Sequence, residues 1–230
     1  MSARVLLCDL GGVLFDFDHR HRLRILARAC GSSPERIHAL LWESDFGAGS
    51  DEGRYPTAAD VRVRVRAVIG FPGTDDELDA AWCAAYRPNP AVIDALISGH
   101  GLPMAVFTNN GPLEEDALPR LHSQAFAPFD RLFFSHRLGH RKPHPAAFAA
   151  VTTGLGVVPG DIVFIDDSGA NVAAARRHGW QAVRFRTPGT LAETVREYAA
   201  PGPDVLPSLD RELGDRHGRE TGMPSGPGGA

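Results

Sequence analysis

Three observations predict an α/β fold: a doubly wound parallel sheet core with an inserted helical domain. Short apolar runs at 5–8, 104–107, 132–134 and 162–165 lack the polar residue that an amphipathic helix shows every third or fourth position, so they are expected to be buried strands. From position 89 onward such runs alternate with helical patterns, as βαβ units do. Between the first run and position 87 only helical patterns occur. The helices are therefore inserted after the first strand.

The elements follow in order. The first strand, Val5-Leu6-Leu7-Cys8, stops at Asp9 and a Leu10-Gly11-Gly12 turn, after which Val13-Leu14-Phe15 is apolar again. From 18 to 29, Leu23, Leu26 and Ala27 recur among His19, Arg20, Arg22 and Arg24, which predicts a helix with a basic exposed face. Ser33-Pro34-Glu35 supplies an N-cap, a first-turn proline and an early acid for a helix through Ile37, Leu40 and Leu41. Thr57 precedes Val61, Val65 and Val68. Thr74 with Glu77 forms a capping box ahead of Leu78, Ala81 and Trp82.

Asn89-Pro90 starts a helix through Ile93 and Leu96, and 104–107 is a strand ending at Thr108-Asn109-Asn110. A mostly helical stretch reaches Leu121, then 132–134 reads as a strand and 139–145 as a loop. Helix 145–155, strand 162–165, helix 170–178 ending at Gly179, strand 180–185 and helix 190–198 complete the pattern. The chain beyond 200 is rich in Pro, Gly and charge, and is expected to be disordered. No internal repeat is visible.

Length and composition set limits. With 230 residues and 43% hydrophobic content the chain can bury a substantial core. A net charge of −4 gives no electrostatic reason to expect nucleic acid or an anionic membrane as partner. Nor does any apolar run reach the roughly 18 residues of a membrane span. A small molecule is the expected partner. Three widely spaced cysteines, Cys8, Cys30 and Cys83, form neither a disulfide framework nor a metal cluster and fit a reducing cytoplasm, the expected location. Oligomeric state is not encoded in any visible pattern; a monomer is compatible.

Four polar sites stand at strand ends or in adjoining loops: Asp9, Thr108-Asn109, Lys142 and Asp166-Asp167. Open α/β sheets bind ligands at that edge, so the four can converge on one crevice. Together they offer a nucleophilic carboxylate, hydroxyl and amide donors, one ammonium and an acidic pair, a set suited to phosphoryl transfer. Asp9 would repel Asp166 and Asp167 unless a divalent cation with oxygen ligands, most simply Mg2+, lay between them.

The order and spacing of these sites resemble the haloacid dehalogenase (HAD) superfamily across roughly residues 3–198. The motifs are DLGGVLFD, VFTNN, the lysine of GHRKPHP, and VFIDDSGANV. Within it, DLGGVLFDFD, the Trp82 to Arg87-Pro88 stretch and RKP most resemble the branch containing α-D-glucose-1-phosphate phosphatases and the phosphatase domains fused to epoxide hydrolases. The resemblance implies a Rossmann-like core of residues 1–17 and 88–200, a helical C1 cap over 18–87, and a tail at 201–230. It also implies that Asp9 attacks phosphorus to form an aspartyl-phosphate, Thr108 and Asn109 contact the phosphoryl group, and Lys142 holds Asp9 and phosphate together. Mg2+ would sit on Asp9, the Gly11 carbonyl and Asp167 supported by Asp166, with Asn171 ordering the loop. The implied substrate is a small phosphorylated metabolite such as a sugar phosphate.

One position departs from that pattern. Most family phosphatases carry a second aspartate two residues after the nucleophile as general acid and base, and here it is Gly11. Such a group contributes about 10²–10⁴-fold. Three readings follow: a phosphatase specialised for easily departing esters, with Asp18, His19 or His21 as substitute donors; a 2-haloacid dehalogenase, which needs neither acid nor metal; or a phosphate-binding regulatory protein without turnover. Elsewhere, Gly154 and Gly156 read as helix termination and His136, His140 and His144 as loop residues. Arg62, Arg64 and Arg66 read as a solvated cap face, and Trp42, Phe46 and Trp82 as core.

Overall fold

The computed structural model describes residues 5–98 and 101–199. Five parallel strands form the main sheet: β1 (Val5–Cys8), β4 (Met104–Thr108), β5 (Arg131–Phe134), β6 (Ile162–Asp166) and β7 (Gln181–Arg184), in the order β5-β4-β1-β6-β7. β1 is central, with Leu7 opposite Ala105 on one side and Phe164 on the other. Period-two alternation divides its side chains: Leu6 and Cys8 join one core and Val5 and Leu7 a second. Both faces are covered, as a parallel sheet requires. The second core closes around Phe107, Phe148, Phe164 and Trp180, with Phe148 edge-on to Trp180 at 5.1 Å.

The inserted segment holds α1 (His19–Ala29), α2 (Pro34–Leu41), α3 (Asp45–Asp51), α4 (Ala58–Ile69) and α5 (Asp75–Cys83). Ser33 caps α2, and the boxes Thr57/Asp60 and Thr74/Glu77 start α4 and α5. The segment is not helical to its margins, because β2 (Phe15–Phe17) pairs antiparallel with β3 (Tyr86–Pro88). That ribbon joins its two ends to the core, with Arg87 on Asp16 at 2.8 Å and Asp18 N–H on the Ala85 carbonyl at 2.8 Å.

The remaining helices are α6 (Pro90–Ile97), α7 (Pro112–Leu121), α8 (Ser123–Phe126), α9 (Ser135–Leu138), α10 (Pro145–Leu155), α11 (Gly169–Arg177) and α12 (Pro188–Ala199). Gly156 and Gly179 take the positive φ expected after α10 and α11. Arg62 is not solvated. It chelates the fully buried Asp79 through Nε and Nη2 at 2.8 and 2.7 Å, and Asp79 also accepts from Arg120 of α7 at 2.5 Å. This network ties the inserted helices to the core. Among the described residues no helix is long and apolar enough to cross a membrane, and the tail at 201–230 lies outside the described residues.

Candidate active site

The carboxyl ends of β1, β4 and β6 deliver Asp9, Thr108 and Asp166 to one edge of the sheet, and the loop between α9 and α10 brings Lys142 to the same edge. Lys142 is 4% exposed, so its charge is stable only if every proton is taken up. Its Nζ donates to Asp166 Oδ2 and the Phe107 carbonyl, each at 2.8 Å, and lies 2.8 Å from Asp9 Oδ1. Three contacts use the three donors. Burial opposes its charge, but Asp9 and Asp166 outweigh burial and hold the ammonium above the usual lysine range.

Asp9 Oδ1 also accepts the Leu10 N–H at 2.7 Å. Burial pushes the Asp9 carboxyl well above its usual range, against the pull of Lys142 and with the repulsion of Asp166. Asp166 is surrounded by donors: the Ser168 N–H at 2.8 Å on one oxygen, Lys142 on the other, and Asn171 Nδ2 at 3.1 and 3.0 Å on the two. Asp167 is exposed, and burial of its surroundings followed by the Asp166 charge raises its carboxyl pKa. Ligand atoms of Asp9, Asp166 and Asp167 lie within 4.8 Å of one another. With one ammonium for three crowded carboxylates, the donor set is all-oxygen and under-compensated, which fits a hard divalent cation such as Mg2+.

Thr108 and Asn109 have separate tasks. Asn110 Nδ2 donates to Thr108 Oγ1 at 2.9 Å, while Tyr86 O–H donates to Asn110 Oδ1 at 2.6 Å. With a lone pair so occupied, the Thr108 hydroxyl proton is directed elsewhere. Asn109, expected at the phosphoryl group, commits both ends of its amide to the Lys142 backbone: Nδ2 to the carbonyl and Oδ1 from the N–H, each at 2.8 Å. It fixes the lysine loop to the end of β4.

The turn after Asp9 contains two different glycines. Gly12 has φ +87°, and a Cβ there would lie 2.5 Å from Asp167 Oδ2, so only glycine lets the β1 and β6 loops approach this closely. Gly11 has no such demand. A Cβ there would meet Tyr86 Cε1 at 3.5 Å, ordinary contact, and φ is not positive.

Asp9, Gly11, Thr108, Asn109, Lys142 and Asn171 border one cavity of about 460 Å3 with residues from the inserted helices and the ribbon. Trp42 and Trp82, expected as core alone, are part of its wall, stacked at 5.2 Å. Of the proposed substitute donors, His19 borders the cavity, while Asp18 caps α1 and His21 is exposed. Burial, then the charges of Arg22 and His38, lower the His19 pKa to about 4. Arg22 was expected on an exposed face and is 3% exposed at the cavity wall. Alternating arginines on α1 carry no sequence signal that would single it out.

A model of the haloacid dehalogenase-like hydrolases matches residues 3–179. The D-ribitol-5-phosphate phosphatase of Bacteroides thetaiotaomicron is 33% identical over 187 residues, covering 76% of this chain and 88% of that protein. The plasmid CbbY protein of Cupriavidus necator is 35% identical over 95 residues, and that match spans 37% of its length. Among solved structures, a HAD family enzyme from B. thetaiotaomicron in complex with magnesium and inorganic phosphate superposes with a TM-score of 0.66 at 22% identity, over 80% of this chain and 95% of that one. L-2-haloacid dehalogenase from Xanthobacter autotrophicus superposes with a TM-score of 0.56 at 22% identity, over 87% and 85%.

Proposed function

The chain belongs to the haloacid dehalogenase-like hydrolases, and from that premise we propose that it is a Mg2+-dependent phosphatase of small phosphorylated metabolites, sugar or polyol phosphates among them. The observation that carries this reading is Lys142 Nζ at 2.8 Å from both Asp9 and Asp166, beside Thr108 on one cavity edge. The phosphatase activity named for the Bacteroides relative supports it.

In this reading Asp9 attacks phosphorus through a carboxylate oxygen, the ester P–O bond breaks, and the alcohol departs with a proton drawn from solvent, since Gly11 has none to give. Water then attacks the aspartyl-phosphate and releases phosphate with Asp9 restored. Lys142 favours the ionised form of Asp9 against burial and fixes its carboxylate in place, the Thr108 hydroxyl donates to a phosphoryl oxygen, and Asn109 positions Lys142. Asp9, the Gly11 carbonyl and Asp167 hold the metal, while Asp166, saturated by Lys142, Asn171 and Ser168, supports Asp167 and keeps the local charge negative. The metal supplies neutralisation of charge on the phosphoryl oxygens. Residues 18–87 act as the cap over this cavity and 1–17 with 88–200 as the catalytic core.

The test is phosphate release from a phosphomonoester panel with Mg2+ and with a chelator, for the wild type and Asp9→Asn. Release that needs Mg2+ and Asp9 is expected. Chloride release from 2-chloropropionate in chelator would replace this reading by a dehalogenase. Stable beryllofluoride capture at Asp9 without any turnover would replace it by a phosphate-binding regulator.

A further inference from the structure

Among the described residues, Arg22 alone has buried side-chain nitrogens or oxygens without a hydrogen-bond partner, and it borders the cavity. Its Nε and Nη2 are buried and neither has a hydrogen-bond partner. These two nitrogens form one edge of the planar guanidinium, the edge that presents two parallel N–H groups. Arg62 shows what that edge does when satisfied: Nε and Nη2 chelate the two oxygens of Asp79 at 2.8 and 2.7 Å. Arg22 has no such acceptor, and a buried donor without one is costly.

Its charge, by contrast, is well compensated. The guanidinium carbon lies 5.5, 5.5, 5.2 and 5.3 Å from the ring centroids of Phe17, Trp42, Trp82 and Tyr86, each on a different element or its cap. Glu114 Oε1 is 3.9 Å from Nη2 and is itself held by Trp82 Nε1 at 2.7 Å. Asp51 borders the same cavity. What Arg22 lacks is a pair of acceptors rather than an anion. Another carboxylate would add negative charge beside Glu114, which already faces Arg22, whereas neutral hydroxyl oxygens would accept from Arg22 and could donate to Glu114. The indole faces of Trp42 and Trp82 supply apolar surface for the intervening C–H groups.

We propose that Arg22 is the specificity-determining residue of the cavity, a rotation of its side chain bringing the covered Nε–Nη2 edge to donate to two neighbouring hydroxyl oxygens of the carbon chain that bears the phosphoryl group. The inference rests on the phosphatase reading and narrows its substrates to phosphorylated polyhydroxy compounds. A site built to bond hydroxyls rejects the analogue without them far more strongly than an apolar pocket rejects an added group, because its own buried donors are left unpaired.

The experiment measures kcat/KM with Mg2+ for three esters of equal length: a pentitol 5-phosphate, pentyl phosphate and 5-phosphonooxypentanoate. Wild type, Arg22→Lys and Arg22→Met are compared, with folding checked by circular dichroism. Wild type is expected to favour the polyol ester over the alkyl ester by about 100-fold or more. Both variants should bring that ratio to within about 10-fold, since lysine keeps the charge and loses the planar edge. Differences in intrinsic ester reactivity cancel between variants. A wild-type ratio below about 10, a preference for the carboxylate-ended ester, or an unchanged ratio in a folded variant overturns the assignment of Arg22. A wild-type ratio below about 10 overturns the assignment even if neither variant folds. Turnover of pentyl phosphate without discrimination sinks only Arg22, release from the phosphomonoester panel but from none of these three esters likewise sinks only Arg22, and release from neither sinks the phosphatase reading and this proposal together.

Discussion

Lys142 and Asp9 meet at 2.8 Å in a place where the lysine side chain is 1% exposed. Neither charge is stable there alone. Replacing Lys142 by methionine leaves Asp9 and the fully buried Asp166 facing each other without the ammonium, and removing one partner of a buried pair typically costs about 3–5 kcal/mol. Urea unfolding of Lys142→Met in chelator should show a loss of that order, partly recovered by Mg2+, together with loss of phosphate release. A loss below about 1 kcal/mol would show that Lys142 is not needed to hold Asp9 and Asp166 together.

Gly12 makes a different prediction, because its constraint is geometric. A methyl group at φ +87° is strained, and here it would also strike Asp167 Oδ2 at 2.5 Å. Gly12→Ala should lose about 1–3 kcal/mol from backbone strain and displace the Asp167 carboxylate. Mg2+ titration followed by thermal shift tests this, with weaker binding expected than in wild type. Unchanged affinity would show that Asp167 does not hold the metal.

His19 makes a prediction about pH. Its folded pKa lies at about 4 against an ordinary 6.5, because burial and then the charges of Arg22 and His38 oppose protonation. Between those values the unfolded chain takes up a proton that the folded ring refuses, so this residue's contribution to stability is lost as pH falls from about 6.5 toward 4. His19→Asn removes the titration. The drop in Tm from pH 7.5 to pH 5 should therefore be smaller in the variant. An NMR titration of the wild type should place the His19 midpoint near 4, and a midpoint near 6.5 would contradict the burial described.

The parallel sheet is legible because its inner strands β1, β4 and β6 are buried throughout and read as near-continuous apolar runs, while the edge strands β5 and β7 are partly exposed and give a weaker signal. Asp9, Lys142, Asp166 and Asp167 were legible as a set because each follows or flanks such a run and their charges demand one another. The β2–β3 ribbon was hidden: three residues ending in Pro88 pair with three lying some 70 positions earlier, a contact no local periodicity encodes. The phosphoryl contact of Asn109 comes from the family resemblance alone, and the bonds of its amide to the Lys142 backbone leave no local signal because the partner is distant in sequence. Arg22 looked like any other arginine on α1. Only the arrival of Phe17, Trp42, Trp82 and Tyr86 from other parts of the chain buries it.

The remaining prediction concerns Gly11, where the expected acid is missing and yet nothing in the fold forbids it. Its virtual Cβ sits 3.5 Å from Tyr86 Cε1 and 3.6 Å from Phe17 Cδ2, and its backbone is not in the left-handed region. Gly11→Asp should therefore fold with little change in Tm. It places a carboxyl group in the cavity wall, two residues beyond the nucleophile, while the main-chain carbonyl is retained. A positioned acid contributes about 10²–10⁴-fold, and most for alcohols that leave poorly. The variant should raise kcat on alkyl phosphates by up to about 100-fold and change little on p-nitrophenyl phosphate, whose leaving group departs without protonation. Equal gains on both esters would point to altered binding, and no gain on either would show that proton transfer does not limit this enzyme.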